Sequence, residues 1–195
     1  MQTPVTTRLQ RGGRRLAAAA ALAAIVGFAP PALADSKGLI VVFMPPGTDN
    51  YLAQWQAGAK TKAKDLGYDI KIIESSRDQA EQDSQVQQEI ASGEDVAGFI
   101  WWPYVNAAGT GSLRALSQTG KPVIFTNQYP IEGTDKFWTA YAGVDDFLNA
   151  QTAAKMLLDA CAASTTVKCD KGMIITFPAG YSAGSDRSKA FREAV

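Results

Sequence analysis

Histidine is absent from all 195 residues. That removes Ser-His-Asp and Cys-His nucleophilic catalysis and every His-ligated metal site. Basic excess is also missing: 19 Lys and Arg balance 19 Asp and Glu. Four arginines (Arg8, Arg11, Arg14 and Arg15) fall in the first 34 residues, which hold no acid; removing them leaves 15 basic against 19 acidic residues, a net of −4. A chain of that sign has no phosphate-gripping surface, which argues against nucleic-acid binding. A membrane-spanning run is lacking too, since the apolar stretch Leu16–Phe28 is 13 residues and a spanning helix needs about 20. No G-x-G-x-x-G and no Walker lysine pattern occurs. The first strand-to-helix turn holds Pro45-Pro46-Gly47, whose prolines lack the N–H donors that cradle a pyrophosphate. No nucleotide cofactor and no metal is expected.

What is present begins with an address. The arginines precede the Ala-rich run Leu16–Phe28, then Pro30-Pro31, then Ala32-Leu33-Ala34 with small residues at the −3 and −1 positions before Asp35. This is the layout of a secretory signal peptide over residues 1–34, cleaved after Ala34, and it predicts export to a bacterial periplasm. Arg14-Arg15 raises the twin-arginine route, but Leu16 and the alanines after it fit that motif poorly; ordinary secretion is the preferred reading. Such a compartment permits a disulfide between the only two cysteines, Cys161 and Cys169, separated by a polar loop. A redox pair is the alternative, though the spacing is not C-x-x-C.

The full 195-residue chain is 46% apolar and 19% charged, as folded globular chains are. After residue 34 it alternates short apolar runs with longer amphipathic ones. Gly38–Met44, Tyr68–Glu74, Val96–Trp101, Pro122–Thr126, Thr139–Val144 and Gly172–Phe177 read as strands. Asn50–Leu66, Asp78–Ser92, Asn106–Thr119 and Asp146–Cys161 read as helices, and another begins near Ser185. Strand-helix alternation at this spacing predicts a doubly wound parallel α/β sheet. In such sheets ligands sit beyond the carboxyl ends of the strands. Those ends carry the aromatics Tyr51, Trp101, Trp102 and Tyr104 and the polar groups Asp49, Asn50, Asn127, Gln128 and Asp145. Aromatic faces stack on the C–H side of a sugar ring, and amides and carboxylates pair with its hydroxyls. The structural readings are that Trp101 and Trp55 are core, that Asp49 or Asn50 caps the first helix and that Asp146 caps the fourth.

These residues resemble the type I periplasmic sugar-binding proteins of bacterial ABC transporters, the group of the ribose- and galactose-binding proteins. The likeness rests on GLIVVFMPPGTDNYLAQWQAGAKTKAKDLGYDI, on DQAEQDSQVQQEIASG, on VAGFIWWP, on KPVIFTNQ, on AGVDD and on SAGSDRSKAFREAV. By the resemblance, Tyr51 is the first stacking aromatic and Asp49 the polar residue before it, with Leu52 where a second aromatic usually stands. Trp102 replaces the usual Asn before Pro103. Asn127 matches a sugar-binding Asp or Asn, and Gln128 stands where ribose-type binders have Arg. Asp145 matches the lobe crossover. Arg187 matches the Arg of R-x-x-G-F, with Ala190 for Gly, while Ser185 takes the place of a ligand-contacting Arg.

The resemblance implies a non-enzymatic, monomeric solute receptor that binds a small carbohydrate or polyol between two lobes and presents it to an inner-membrane ABC permease. A sensing module for a chemoreceptor or sensor kinase is the alternative. A repressor effector domain and an exported Rossmann-type enzyme fit less well, for want of a helix-turn-helix and of a phosphate loop. It also implies that 35–144 is a first lobe and 145–195 the start of a second, so that the chain is a C-terminally truncated fragment holding half a site, marginally stable and binding sugar weakly or not at all.

Overall fold

A computed structural model describes residues 36–166, 168–177 and 181–195. The signal-peptide reading of residues 1–34 therefore falls outside the described residues.

Five parallel strands make one sheet in the order β2-β1-β3-β4-β5. They are β1 Leu39–Met44, β2 Asp69–Glu74, β3 Val96–Trp101, β4 Val123–Asn127 and β5 Ala140–Gly143. The helices are α1 Asn50–Leu66, α2 Gln79–Ser92, α3 Thr110–Gln118, α4 Asp146–Ala163 and α5 Ser182–Ala194. Parallel neighbours cannot be joined by a tight turn, so helices carry the chain from β1 to β2, to β3 and to β4. The return from β4 to β5 runs instead through a loop with a single 3-10 turn, Asp135–Phe137.

Because β1 lies between β2 and β3, with helices on both faces of the sheet, its side chains are buried in both directions, which is why LIVVFM is apolar throughout. Val41 and Phe43 join Val86, Phe99, Trp101, Leu113, Leu116 and Phe125 on the face covered by α2 and α3. Val42 and Met44 meet Leu52 and Trp102 on the face covered by α1. That second face has a single helix over it. A groove of about 740 Å³ runs along α1, lined by Trp55, Ala59, Ile40, Ile70, Ile100 and Ile124 among others.

Local signals place the helix ends. Asp49 accepts from Leu52 N at 2.9 Å to open α1, Asp78 caps α2, and Asp145 accepts from Leu148 N at 2.9 Å to open α4. Gly67, at φ 79°, ends α1 in the left-handed conformation. Several expectations are corrected. Asp145, not Asp146, caps α4, because Asp146 turns inward to Arg187. The third helix starts at Thr110, not Asn106, because the Asn106 amide turns inward and donates to Tyr129 O at 2.6 Å. Gly109 in that turn lies so close to Trp101 that a Cβ would meet its Cζ2 at 2.9 Å. The sixth strand is not formed among the described residues: 171–177 have no regular secondary structure and pair with no strand there. Met173 and Ile175 are 84% and 86% exposed there. An apolar run becomes a strand only when a neighbouring backbone receives it. The last helix begins at Ser182, three residues before its expected start.

α4 and α5 pack on each other, and Ala150 and Ala154 of the first and Ala183 and Ala190 of the second are buried. At the end of α4 the structure joins Cys161 to Cys169, with Cα atoms 5.9 Å apart. No helix among the described residues is long and apolar enough to cross a membrane.

Candidate functional site

The carboxyl ends of the strands deliver their loops to one edge of the sheet. Each loop there is tied by side chains from the elements beside it. After β1, Gly47 N donates to Glu74 Oε2 at 2.7 Å, and Gln56 Nε2 donates to Glu74 Oε1 at 2.8 Å. After β2, Ser75 N donates to Met44 O, and Ser76 donates through both its N–H and its hydroxyl to Glu81. After β3, the fully buried Gln82 donates to Trp102 O at 3.0 Å and accepts from Tyr104 N at 3.0 Å. Gln79 accepts from Val105 N at 2.8 Å.

Tyr51 is the centre of this edge. It lies on the first turn of α1 and is 61% exposed. Its hydroxyl accepts from Asn127 Nδ2 at 3.0 Å. Its ring meets Trp102 edge-on, with centroids 5.9 Å apart. Trp102 is only 4% exposed and is wedged in turn against Trp55, 5.5 Å away. The arrangement is an open tyrosine face stiffened from behind by two tryptophans. Trp102 is thus a brace in this structure rather than an open stacking face. Trp101 is fully buried and belongs to the core.

Asn127 reaches Tyr51 from a left-handed backbone, φ 70°, a conformation that Asn tolerates better than most residues. Its carbonyl accepts from the Tyr141 hydroxyl at 3.0 Å, which also donates to Val144 O at 2.8 Å. Burial, aided by the Asp146 charge, pushes the Tyr141 hydroxyl up to about 12, so Tyr141 stays a neutral donor. Asp49 completes the group. Its Oδ1 caps α1, and its Oδ2 accepts from Arg77 Nη2 at 3.2 Å. The Leu52 N–H first, and Arg77 with it, hold this carboxyl below its ordinary value.

The other expected site residues sit elsewhere. Gln128 is buried, donating to Pro103 O at 2.7 Å and accepting from Ser182 Oγ at 3.3 Å. Asp145 spends an oxygen on the α4 cap. Arg187 Nε donates to the buried Asp146 Oδ1 at 2.6 Å, beside a hollow of about 610 Å³ between α4, α5 and residues 173–177. Asp49, Tyr51, Trp102 and Asn127 therefore come together, whereas Gln128, Asp145 and Arg187 act as ties within the frame and between α4 and α5.

Two residues were not anticipated. Arg77 follows β2, and the strand-end rule that picked out Asp49 and Asn127 applies equally there. Tyr181 meets Tyr104 edge-on at 5.3 Å and stacks on Phe177 at 5.7 Å. Burial raises its hydroxyl, as does the bond to Tyr104. The edge as a whole is aromatic and amide-rich, with its carboxylate and guanidinium already paired. Those are the contacts a neutral, hydroxyl-bearing molecule needs. Among the described residues no group of three or more His, Cys, Asp or Glu could hold a metal ion.

A parallel sheet whose site lies across its carboxyl edge defines a ligand-binding α/β domain. The periplasmic binding protein domain family matches residues 40–195, and the chain belongs to that family. A search of curated proteins found no match. Solved structures share the fold. A galactofuranose-binding protein is 21% identical, with TM-score 0.67, over 80% of this chain and 51% of its own. A periplasmic sugar-binding protein of an ABC sugar transporter from Legionella pneumophila is 17% identical, with TM-score 0.70, over 81% and 56%. The fructose-binding periplasmic domain of a hybrid two-component system is 20% identical, with TM-score 0.67, over 80% and 49%. The chain thus spans about half the length of the solved chains it matches.

Proposed function

We propose that this chain is part of a periplasmic solute-binding protein that takes up a small neutral carbohydrate or polyol and presents it to an ABC permease in the inner membrane. The observation that carries the reading is the exposed Tyr51 face, braced by Trp102 and bonded to Asn127, at the carboxyl edge of a periplasmic binding protein fold. In this reading Tyr51 stacks on the ligand, Asp49 and Asn127 exchange hydrogen bonds with its hydroxyls, and Trp102 and Gln128 hold them in place. Asp145 and Arg187 shape the α4–α5 side, the start of a second lobe that follows a first lobe of residues 35–144. Residues 1–34 are the export signal, cleaved after Ala34, and the Cys161–Cys169 bridge closes in the oxidising periplasm. The protein binds as a monomer and performs no reaction.

A second reading, delivery of the sugar signal to a sensor kinase, draws support from the likeness to the fructose-binding domain of a two-component system. Binding to a permease periplasmic loop rather than to a receptor domain separates the two.

The test is a titration of the mature chain, labelled with nitrogen-15, with D-glucose, D-galactose, D-fructose, L-arabinose and glycerol in the millimolar range. The Asn127 side-chain amide is expected to shift with at least one of them. Tyr51→Ala is expected to weaken that binding about tenfold, an aromatic contact of about 1–1.5 kcal/mol. An Asn127 amide indifferent to every sugar would overturn the reading.

A further inference from the structure

The loop between β2 and α2 is held more firmly than a simple connection requires. Ser75 N is bonded to Met44 O, Ser76 is bonded twice to Glu81, and Asp78 Oδ1 accepts from Ala80 N at 2.7 Å. Between these anchors Arg77 adopts φ 65°, a left-handed conformation that costs a side-chain-bearing residue about 1–2 kcal/mol. From this loop its side chain reaches the loop after β1. There one of its five N–H donors meets Asp49 Oδ2 at 3.2 Å. Among the described residues no hydrogen bond engages the other four, and the side chain is 47% exposed. Arg77 therefore lies against Asp49, two residues before Tyr51.

An arginine placed to bind an anion would present its charge unpaired. Here Asp49, kept ionised, neutralises it through one hydrogen bond. What remains is a set of free donors beside an acceptor carboxylate, the complement of a hydroxyl that must accept a hydrogen bond.

We propose that Arg77 contacts the ligand directly: anchored by Asp49, its guanidinium donates to one hydroxyl of the carbohydrate seated on Tyr51 and makes that hydroxyl a requirement for binding. This rests on the sugar-binding reading given above.

The test follows two signals in the same labelled chain, the Arg77 Nε–H and the Asn127 side-chain amide, during titration with the four sugars. The tightest sugar is then compared with its single-deoxy analogues against the native chain, Arg77→Lys and Arg77→Met. A charge-assisted hydrogen bond predicts that one deoxy position loses roughly tenfold to a hundredfold in affinity in the native chain. In Arg77→Met that same penalty falls to near unity while the penalties at other positions persist. A merely structural Arg77 would weaken all analogues equally. If Asn127 shifts and Arg77 stays silent, or if every deoxy penalty survives in Arg77→Met, the proposal is overturned and sugar binding stands. If neither signal moves with any sugar, the sugar-binding reading falls and the Arg77 contact with it. Should Arg77→Met fail to fold, the Arg77 signal of the native chain and the deoxy series in Arg77→Lys decide.

Discussion

Replacing Gln82 with Leu tests whether α2 holds the loop after β3 in place. Gln82 is completely buried, and its amide satisfies two backbone groups at once, Trp102 O and Tyr104 N. Leucine has nearly the same volume, so packing changes little; the loss is polar. Each buried backbone group left without a partner costs about 1–3 kcal/mol. With some relief from water at the loop, the sum is about 2–4 kcal/mol. For a chain of this size that corresponds to a fall of roughly 5–15 °C in Tm. Gln82→Glu keeps the acceptor for Tyr104 N but places a charge in an apolar setting, so it should be at least as destabilising at neutral pH and should recover part of the loss on acidification. Urea unfolding followed by tryptophan fluorescence measures both, since Trp102 reports the loop itself. A change below about 0.5 kcal/mol for Gln82→Leu, the scatter of ordinary surface substitutions, would refute the argument that this amide holds the loop.

Three further outcomes are expected. The Asp49 carboxyl titrates below its ordinary value of 3.8, so its contribution to stability is complete above that pH and is lost as pH falls through the lower, folded-state value; carboxyl NMR of the native chain against Arg77→Met should show the midpoint move up in the variant. Cys161→Ser with Cys169→Ser opens a loop of sequence separation 8 and should cost about 2–3 kcal/mol by chain entropy, read by the same urea midpoint. Intact mass of periplasmic extract should place the mature N-terminus at Asp35, with a loss of two hydrogens in the absence of reductant; retention of Met1 would refute the cleavage.

Much of the scaffold could be read in advance because its causes are local. β1 announces itself since both its faces are covered, and α1, α2 and α4 are bracketed by capping aspartates and, for α1 and α2, by left-handed glycines. The errors fall where distant residues decide. Asn106 looks like the start of a helix until Tyr129 O claims its amide. Gly172–Phe177 has the composition of a buried strand, but pairing is a property of two segments. The site divides likewise. Tyr51 and Asn127 could be named from strand ends, yet their hydrogen bond spans 76 positions and is invisible in the chain. Gln128 and Arg187 could be named as well, but their partners Ser182 and Asp146 are met only in space.

The glutamines and the glutamate that tie down the strand-end loops grip main-chain atoms. Glu74 holds Gly47 N, Gln79 holds Val105 N, and Gln82 holds Trp102 O and Tyr104 N. A grip on the main chain is indifferent to which side chain the gripped residue carries. Exchanges at Tyr104 or at the residues flanking Gly47 can therefore accumulate over generations without the loops losing their positions. Such a frame lets a lineage, or an engineer, trade one ligand preference for another in single steps, each of which leaves a folded protein behind it.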